Sequence, residues 1–275
     1  MTLLISVVES GHAGIVEPMR IGFVRQVPET INDCELTYLE RQPIDLANAR
    51  RQHGRYVALL TSLGVEVHQL PAMDDRPDSV FVEDTALVLD ELAIITRPGA
   101  ASRQSEVVST ADALGPYRKC KRIEAPATLD GGDIVVVGRR IFVGLTTRSN
   151  NTAIDDLGGI IEPYGYTVDG VAVTGCLHLK SAATAIGPNA VLFNPEWVDE
   201  DVFGDIDLIR VHEDEPQGAN ALMIGDELVY AAEFPRTLER LAGLGYVVHT
   251  VAASELAKAE GAVTCCSLIV EAGAA

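Results

Sequence analysis

The sequence predicts an α/β protein arranged as a single, propeller-like array of small repeated units. Three observations carry that reading. A strand pair, a helix and a further strand recur at a spacing of roughly fifty residues. Helices number about one per unit, too few for two long parallel halves with a helix after every strand. No Gly-x-Gly-x-x-Gly opens a helix and no P-loop is present, which sets aside nucleotide-binding sheets. The organisation expected is an N-terminal extension over residues 1–20, where Gly11, Gly14 and Pro18 break any period, followed by one domain over residues 21–275.

In chain order, residues 21–25 read as a strand, and residues 28–45 as an irregular polar loop with two prolines. A structureless stretch of that length inside a domain commonly covers a binding site. Apolar positions at three and four predict a helix over 46–63, stopped by Gly64. Alternation predicts a strand over 65–70, ended by Pro71. Val80-Phe81-Val82 and residues 85–89 flank Glu83-Asp84 as strand-like runs, and 92–96 follows after Asp90-Glu91. A helix is expected over 104–114, ended by Gly115-Pro116, then strands over 120–125, 134–137 and 141–143, the last two joined at Gly138-Arg139. The next expected elements are a helix over 150–161 and strands over 167–173, 182–186, 190–193 and 207–211. Strands over 221–224 and 228–231, turning at Gly225-Asp226, precede a helix over 236–243 stopped by Gly245. Strands over 247–251 and 266–270 complete the chain.

Composition narrows the function classes. With 47% hydrophobic and 22% charged residues, the chain has material for a large core and a soluble surface. A net charge of −19 opposes a nucleic-acid backbone or an anionic membrane as partner. It favours a cationic small molecule, although acidic excess also serves solubility. Five cysteines, an odd number without metal-site spacing, suit a reducing compartment. The eight residues before Glu9 are too short for a membrane span and show no secretory pattern, so a cytoplasmic protein is expected.

The chemistry-bearing stretch is the tail, Gly261-Ala262-Val263-Thr264-Cys265-Cys266-Ser267. A thiol there is ordinarily a small core residue. His178, set between two leucines, is ordinarily a half-buried hydrogen-bonded histidine, and Asp130-Gly131-Gly132-Asp133 a turn. Together they supply a thiol, an imidazole and a carboxylate from three segments, the parts of a nucleophilic constellation. The other histidines, His12, His53, His68, His212 and His249, lack such company and read as surface or helix residues.

The motifs as an ordered set resemble the dimethylargininases (dimethylarginine dimethylaminohydrolases) of the guanidino-group-modifying, or pentein, superfamily. The carrying stretches are Pro77-Asp78-Ser79-Val80-Phe81-Val82-Glu83-Asp84, Ile95 to Ala100 with Ser102-Arg103, and Ala127 to Asp133. Further on come Phe142 to Leu145 with Arg148-Ser149-Asn150, Leu177 to Ser181, Gly187-Pro188-Asn189, Ala219-Asn220 and Thr264-Cys265-Cys266-Ser267. They span nearly the whole chain. The resemblance implies a five-bladed α/β propeller of ββαβ modules with the active site in its central channel.

It also implies hydrolysis of Nω-methylated arginine to citrulline and a methylamine. Cys265 would be the nucleophile, passing through a thiouronium intermediate. His178 would be the general acid and base, and Asp130 its orienting carboxylate. Some bacterial relatives carry glutamate at the position of Asp130; aspartate is a known family variant. Asp78, Glu83 and Asp84 would meet the cationic substrate groups, and Arg103 and Arg148 its carboxylate. Leu36 matches a lid position, and Ala259 a residue touching substrate through its backbone. Taken alone, the acidic trio reads as a solvated strand end and the arginines as surface ion pairs. Cys266 is the structural neighbour, sent to the opposite face by strand alternation.

No cofactor and no metal are expected, although a thiolate and imidazole in one cleft can capture Zn²⁺ and be inhibited. The partner expected is a cationic amino acid, and a homodimer stays open. Rival readings are another guanidino hydrolase such as arginine deiminase, or a non-catalytic pentein that binds a ribosome. Free-arginine deiminases usually carry an inserted helical domain, not seen here, and agmatine deiminases would not need Arg103 and Arg148. The acidic charge and the complete Cys265, His178 and Asp130 set oppose the binding module.

Overall fold

Short β-branched runs bounded by glycine and polar turns give fifteen strands, none longer than seven residues, in a computed structural model that describes residues 19–272. They assemble as five three-stranded sheets. In chain order the elements are β1 (Met19–Arg25), α1 (Leu46–Ser62), β2 (Val65–Leu70), β3 (Ala86–Val88) and β4 (Ala93–Ile95). Next come α2 (Val107–Leu114), β5 (Cys120–Arg122), β6 (Ile134–Val137), β7 (Arg140–Leu145) and α3 (Asn151–Ile161). They are followed by β8 (Thr167–Ala172), α4 (Leu179–Ala182), β9 (Ala183–Gly187), β10 (Ala190–Phe193) and β11 (Asp207–Arg210). The last are β12 (Ala221–Ile224), β13 (Glu227–Ala231), α5 (Pro235–Gly243), β14 (Val247–Val251), α6 (Ser254–Ala257) and β15 (Leu268–Ala272).

Every sheet has the same wiring: its first strand runs antiparallel to the second, and the second parallel to the third. A parallel pair needs a crossover, and α1, α2, α3 and α5 supply it in four sheets. The fourth sheet, β9-β10-β11, departs from the expected helix per unit: a short 3₁₀ turn (Glu200–Phe203) makes that crossover. Phe203 from this turn is fully buried against Phe142 and Phe193, doing with one aromatic what a helix face does elsewhere.

The first sheet closes the ring. Its inner strand is β15, from the end of the chain, paired to β1 with Ile21 opposite Val270 and Phe23 opposite Leu268. These four residues share a core cluster with Val82, Ile95 and Leu114 from the second unit. Local signals agree with the placement of the helices. Asp45 and Asn150 cap α1 and α3 by accepting from Asn48 and Ala153 N–H. α3 buries Ala153, Leu157 and Ile161, one helical stripe. Gly138 and Gly225 open two-residue hairpins with φ of +57° and +60°, where a side chain would be strained.

Four boundaries differ from the sequence reading. β1 starts at Met19, two residues inside the expected extension, because Met19 and Arg20 pair with β15; residues 1–18 lie outside the described residues. α2 starts at Val107, since Ala101–Arg103 form a separate 3₁₀ turn. Val80-Phe81-Val82 is not a strand but leads into a 3₁₀ turn (Val82–Thr85). Cys265 and Cys266 likewise precede β15 in a 3₁₀ turn (Thr264–Cys266). Among the described residues no helix is long and apolar enough to cross a membrane.

Because Phe23 fills the seam where the chain's two ends meet, Phe23→Ala should cost about 3–5 kcal/mol. The urea midpoint should fall by the corresponding amount while the m-value stays unchanged.

Candidate active site

The departures from regular strand are what build the site. Each unit's inner strand is preceded by a short turn or helix: Val82–Thr85 before β3, Gly131–Asp133 before β6 and Thr264–Cys266 before β15. α4, capped by His178, precedes β9, and Asn220 precedes β12. Five inner strands converge on the channel, so Asp84, Asp130, His178, Asn220 and Cys265 all arrive at one end of it.

A narrow cavity there, about 20 Å³, is lined by Asp78, Asp84, Arg103, Arg148, His178, Ala259 and Cys265. Glu35, Phe81, Leu177, Glu260 and Gly261 complete its wall. Three expected site residues stand outside this lining. Asp130 lies fully buried behind His178, its Oδ2 3.0 Å from the imidazole Nε2. Leu36 packs against the core beside α1. Glu83 turns toward the far side of the channel, where Lys180 Nζ donates to its Oε1 at 2.6 Å and Thr264 Oγ1 to its Oε2 at 2.8 Å. Beyond that ion pair the channel widens into a second cavity of about 320 Å³, walled by the inner strands.

Asp84 is the hub. Its carboxylate accepts from Arg103 and from Gly132 N–H at 2.9 Å, and Oδ1 lies 3.9 Å from His178 Nδ1. Burial disfavours its charge, but His178 and Arg103 outweigh that and hold the carboxyl down at about 2. His178 is the counterpart. Burial lowers its pKa, while Asp84, Asp133 and Asp130 raise it more, leaving it at about 9 and the imidazolium charged at neutral pH. Asp130 also accepts from Gly99 N–H at 2.8 Å, which fixes the carboxylate that orients the ring.

The reading of the acidic trio as a solvated strand end, and of the arginines as surface pairs, fails: all five are buried. Arg103, 4% exposed, donates to Glu106, Asp84 and the carbonyls of Asp78 and Phe81. Arg148, 7% exposed, differs. Among the described residues nothing pairs with its guanidinium, although it faces the cavity and lies near enough to depress the pKa of Asp78. A buried cation without a partner is costly. Burial nevertheless raises Asp78 overall, and Glu35 N–H donates to its carboxylate.

Burial pushes the Cys265 thiol well above its ordinary value, and the Glu83 and Asp84 carboxylates push it further. Its Sγ accepts from Ala262 N–H at 3.4 Å. Cys266 is buried in the core with its Sγ toward Ala262 O, its pKa raised to about 12 by burial and then by Glu83. Cys265 lines the cavity and Cys266 does not, and the two stand in a 3₁₀ turn rather than in the alternating strand expected. Asn220 clamps that turn, accepting from Thr264 N–H and donating to Thr264 Oγ1. Tyr56 of α1 ties it from behind through Ser267 Oγ at 2.7 Å.

Sequence reasoning missed Asp133, although it closes the quoted Asp-Gly-Gly-Asp run. Fully buried, it accepts from Leu179 N–H, Thr146 Oγ1 and Ser149 Oγ, and so anchors the start of α4 beside His178. Burial lifts its pKa to about 6 despite His178 and the hydroxyls. Glu35, Phe81 and Glu260 were missed as well, although Phe81 lies in the Pro77–Asp84 run and Glu35 in the 28–45 loop; nothing in the local sequence marks Glu260. His53 lies on helix α1, one of the two settings expected for it, and is buried there, its pKa lowered to about 4 by burial.

The paired glycines have a steric reason. A Cβ on Gly131 would sit 2.0 Å from Glu83 O, and one on Gly132 2.6 Å from His178 Nδ1 and 2.7 Å from Asp84 Oδ1. Asp84, Asp130 and His178 also present atoms within 4.8 Å of one another, a spacing a metal could use. A charged imidazolium is a poor metal ligand, and the hydrogen bond and ion pairs already occupy these atoms.

A family model described as N,N dimethylarginine dimethylhydrolase, eukaryotic, matches residues 17–203. The N(G),N(G)-dimethylarginine dimethylaminohydrolase of Pseudomonas aeruginosa is 37% identical over 226 residues, 82% of this chain and 89% of that one. The enzyme of the same name from Streptomyces coelicolor is 36% identical over 261 residues, 91% of this chain and 97% of that one. The Pseudomonas aeruginosa enzyme, solved as a cysteine-to-serine variant complexed with citrulline, superposes with a TM-score of 0.87 at 34% identity. That match covers 92% of this chain and 99% of the other.

Two outcomes follow from the geometry. Gly132→Ala must displace His178 or Asp84, and should lower turnover by about 10²-fold or more with the fold retained by circular dichroism. The folded-state pKa of His178 lies above the ordinary 6.5, so its contribution to stability is full below pH 6.5 and lost as pH rises to about 9. The urea midpoint of the wild type should therefore drop toward that of His178→Gln over this interval.

Proposed function

The chain belongs to the dimethylarginine dimethylaminohydrolase family, and from that premise we propose that it hydrolyses Nω-methylated L-arginine to L-citrulline and a methylamine at Cys265. The observation that carries the reading is the charge balance of the cavity. A buried Arg148, without a partner among the described residues, stands in a wall that also carries the carboxylates of Glu35, Asp78, Asp84 and Glu260, a complement for a molecule with a carboxylate at one end and a cation at the other.

The binding step prepares the nucleophile. Burial and then the carboxylates raise the Cys265 thiol; a guanidinium placed beside Asp84 offsets the carboxylate part, so the thiol gives its proton up to solvent where its target already sits. The thiolate attacks the guanidinium carbon, forming the C–S bond and a tetrahedral centre. His178, kept charged by Asp84, Asp133 and Asp130, donates its proton to the departing nitrogen as the C–N bond breaks and the methylamine leaves. The S-linked thiouronium remains on Cys265. Neutral His178 then takes a proton from water as the water oxygen adds to the same carbon; the C–S bond breaks as the C=O bond forms, the hydroxyl proton passes to the departing sulfur, and citrulline is released. Asp130, 3.0 Å from the imidazole Nε2, orients the ring throughout.

The Arg103 role differs from a bare carboxylate clamp. Its donors are spread over Asp84, Glu106 and two carbonyls, so it shapes the wall while Arg148 has its donors unspent. The residues 28–45 loop delivers Glu35 to the cavity wall, in keeping with a lid. One domain over residues 21–275, starting in effect at Met19, carries all of these groups.

Citrulline release from asymmetric dimethylarginine should be present in the wild type and absent in Cys265→Ser. Wild-type inactivity on methylarginines, with turnover of free arginine instead, would sink the substrate assignment. Arg148→Ala should raise KM by about tenfold or more with a smaller effect on kcat, since it removes binding made before the transition state. Above about pH 9 kcat/KM should fall, as His178 loses the proton that the leaving amine requires.

A further inference from the structure

We propose that Glu260 is a latch: its carboxylate holds residues 37–39 closed over the mouth of the site, making it a positioning residue for the reaction. The inference rests on the reading of the Cys265 cavity as the substrate pocket. Three consecutive main-chain N–H groups converge on this one side chain. Thr37 N–H lies 3.1 Å from each carboxylate oxygen, and Tyr38 and Leu39 N–H lie 2.5 and 2.7 Å from Oε1. Successive N–H groups of this kind form a concave nest for an anion, and bonds to a charged acceptor are the stronger class.

The carboxylate is aimed by a rigid support. Glu260 has φ of +57°, the one non-glycine residue with positive φ among the described residues. Such a conformation persists only where its surroundings enforce it. Here the enforcing contact is visible: a Cβ on Gly261 would lie 2.2 Å from the Phe81 ring, so the backbone is pressed flat on a residue of the cavity wall. Phe81 is held in turn by Arg103, which accepts no freedom from it because its N–H donates to Phe81 O at 2.9 Å.

Apolar packing anchors the loop through Ile31, Cys34 and Leu36 but stops short of residues 37–39. Tyr38 and Leu39 remain 49% and 38% exposed. Other attachments of the loop are also polar: Ser102 Oγ donates to Glu35 Oε1 at 2.6 Å, Glu35 N–H to the Asp78 carboxylate, and Lys258 Nζ to Pro43 O. Tyr38 and Leu39 line a cavity of about 130 Å³ that shares Leu177, Glu260 and Gly261 with the Cys265 cavity, and the latter holds about 20 Å³, room for a water and far less than an amino acid. Substrate entry therefore requires this segment to lift and then close again. Ala259, next to Glu260, lines the same cavity, so release of the latch and widening of the pocket involve one stretch of backbone.

The test compares full-length wild type, Glu260→Gly and Glu260→Gln by amide hydrogen exchange without ligand, thermal unfolding, and kinetics on asymmetric dimethylarginine. Glycine removes the carboxylate and the φ strain together. Amides 37–39 should then exchange about tenfold faster or more, with Tm unchanged or raised, while kcat/KM falls by a similar factor. A purely structural role would instead lower Tm and raise exchange throughout. Should Glu260→Gly unfold, Glu260→Gln decides, since it keeps the size and strain but loses the charge; it should show faster exchange confined to the same amides. Wild-type exchange at 37–39 in the variants overturns the latch, as does faster exchange with unaltered kcat/KM. Wild-type inertness on methylarginines with the exchange difference intact would overturn the functional reading and support the latch.

Discussion

Buried charge is the constraint on which the rest of this molecule depends. Around one end of the channel stand the carboxylates of Asp78, Glu83, Asp84, Glu106, Asp130 and Asp133, opposed by Arg103, Arg148, His178 and Lys180. Ionised groups out of water must be paired or shift their pKa. Both responses occur. Asp84 is held ionised by Arg103 and His178, whereas Asp133, bonded mainly to neutral donors, is pushed up to about 6. The Cys265 thiol answers in the same way, raised well above its ordinary value by burial and then by the Glu83 and Asp84 carboxylates.

A propeller suits that constraint because each sheet contributes only its inner strand to the channel. The turns leading into those strands can then be irregular without exposing a sheet edge. Irregularity is concentrated there: the 3₁₀ turns carrying Asp84, Asp133 and Cys265 replace what would otherwise be continued strands. Backbone N–H groups released by these turns meet carboxylates, as Gly132 meets Asp84 and Leu179 meets Asp133. The pairing of β15 with β1 locks the arrangement, since it brings the Cys265 turn against the first and second units.

Much of this was legible from pattern. Strands such as 65–70 and helices such as 46–63 have strong local periodicity, proper caps and glycine stops, and they lie where that pattern puts them within a residue or so. The misreadings share one cause. Val80-Phe81-Val82 and Cys266-Ser267 are apolar or β-branched runs, and period alone cannot separate a short strand from a buried turn. The missing helix between β10 and β11 is a similar case, where tertiary packing of Phe203 replaces a local signal.

Sequence by itself determined the repeat, the order of the motifs and the residue types available for thiol chemistry, because these depend on local spacing and on chemical identity. Which groups touch was decided only by the closed ring. Arg103 and Arg148 look alike in sequence, yet one is consumed by Asp84 and Glu106 and the other is left unpaired among the described residues. Glu260 and residues 37–39 lie more than two hundred positions apart and meet only because β15 returns the end of the chain to its first sheet. Protonation follows the same division: the ordinary pKa belongs to the residue, while its shift belongs to neighbours brought in from other units.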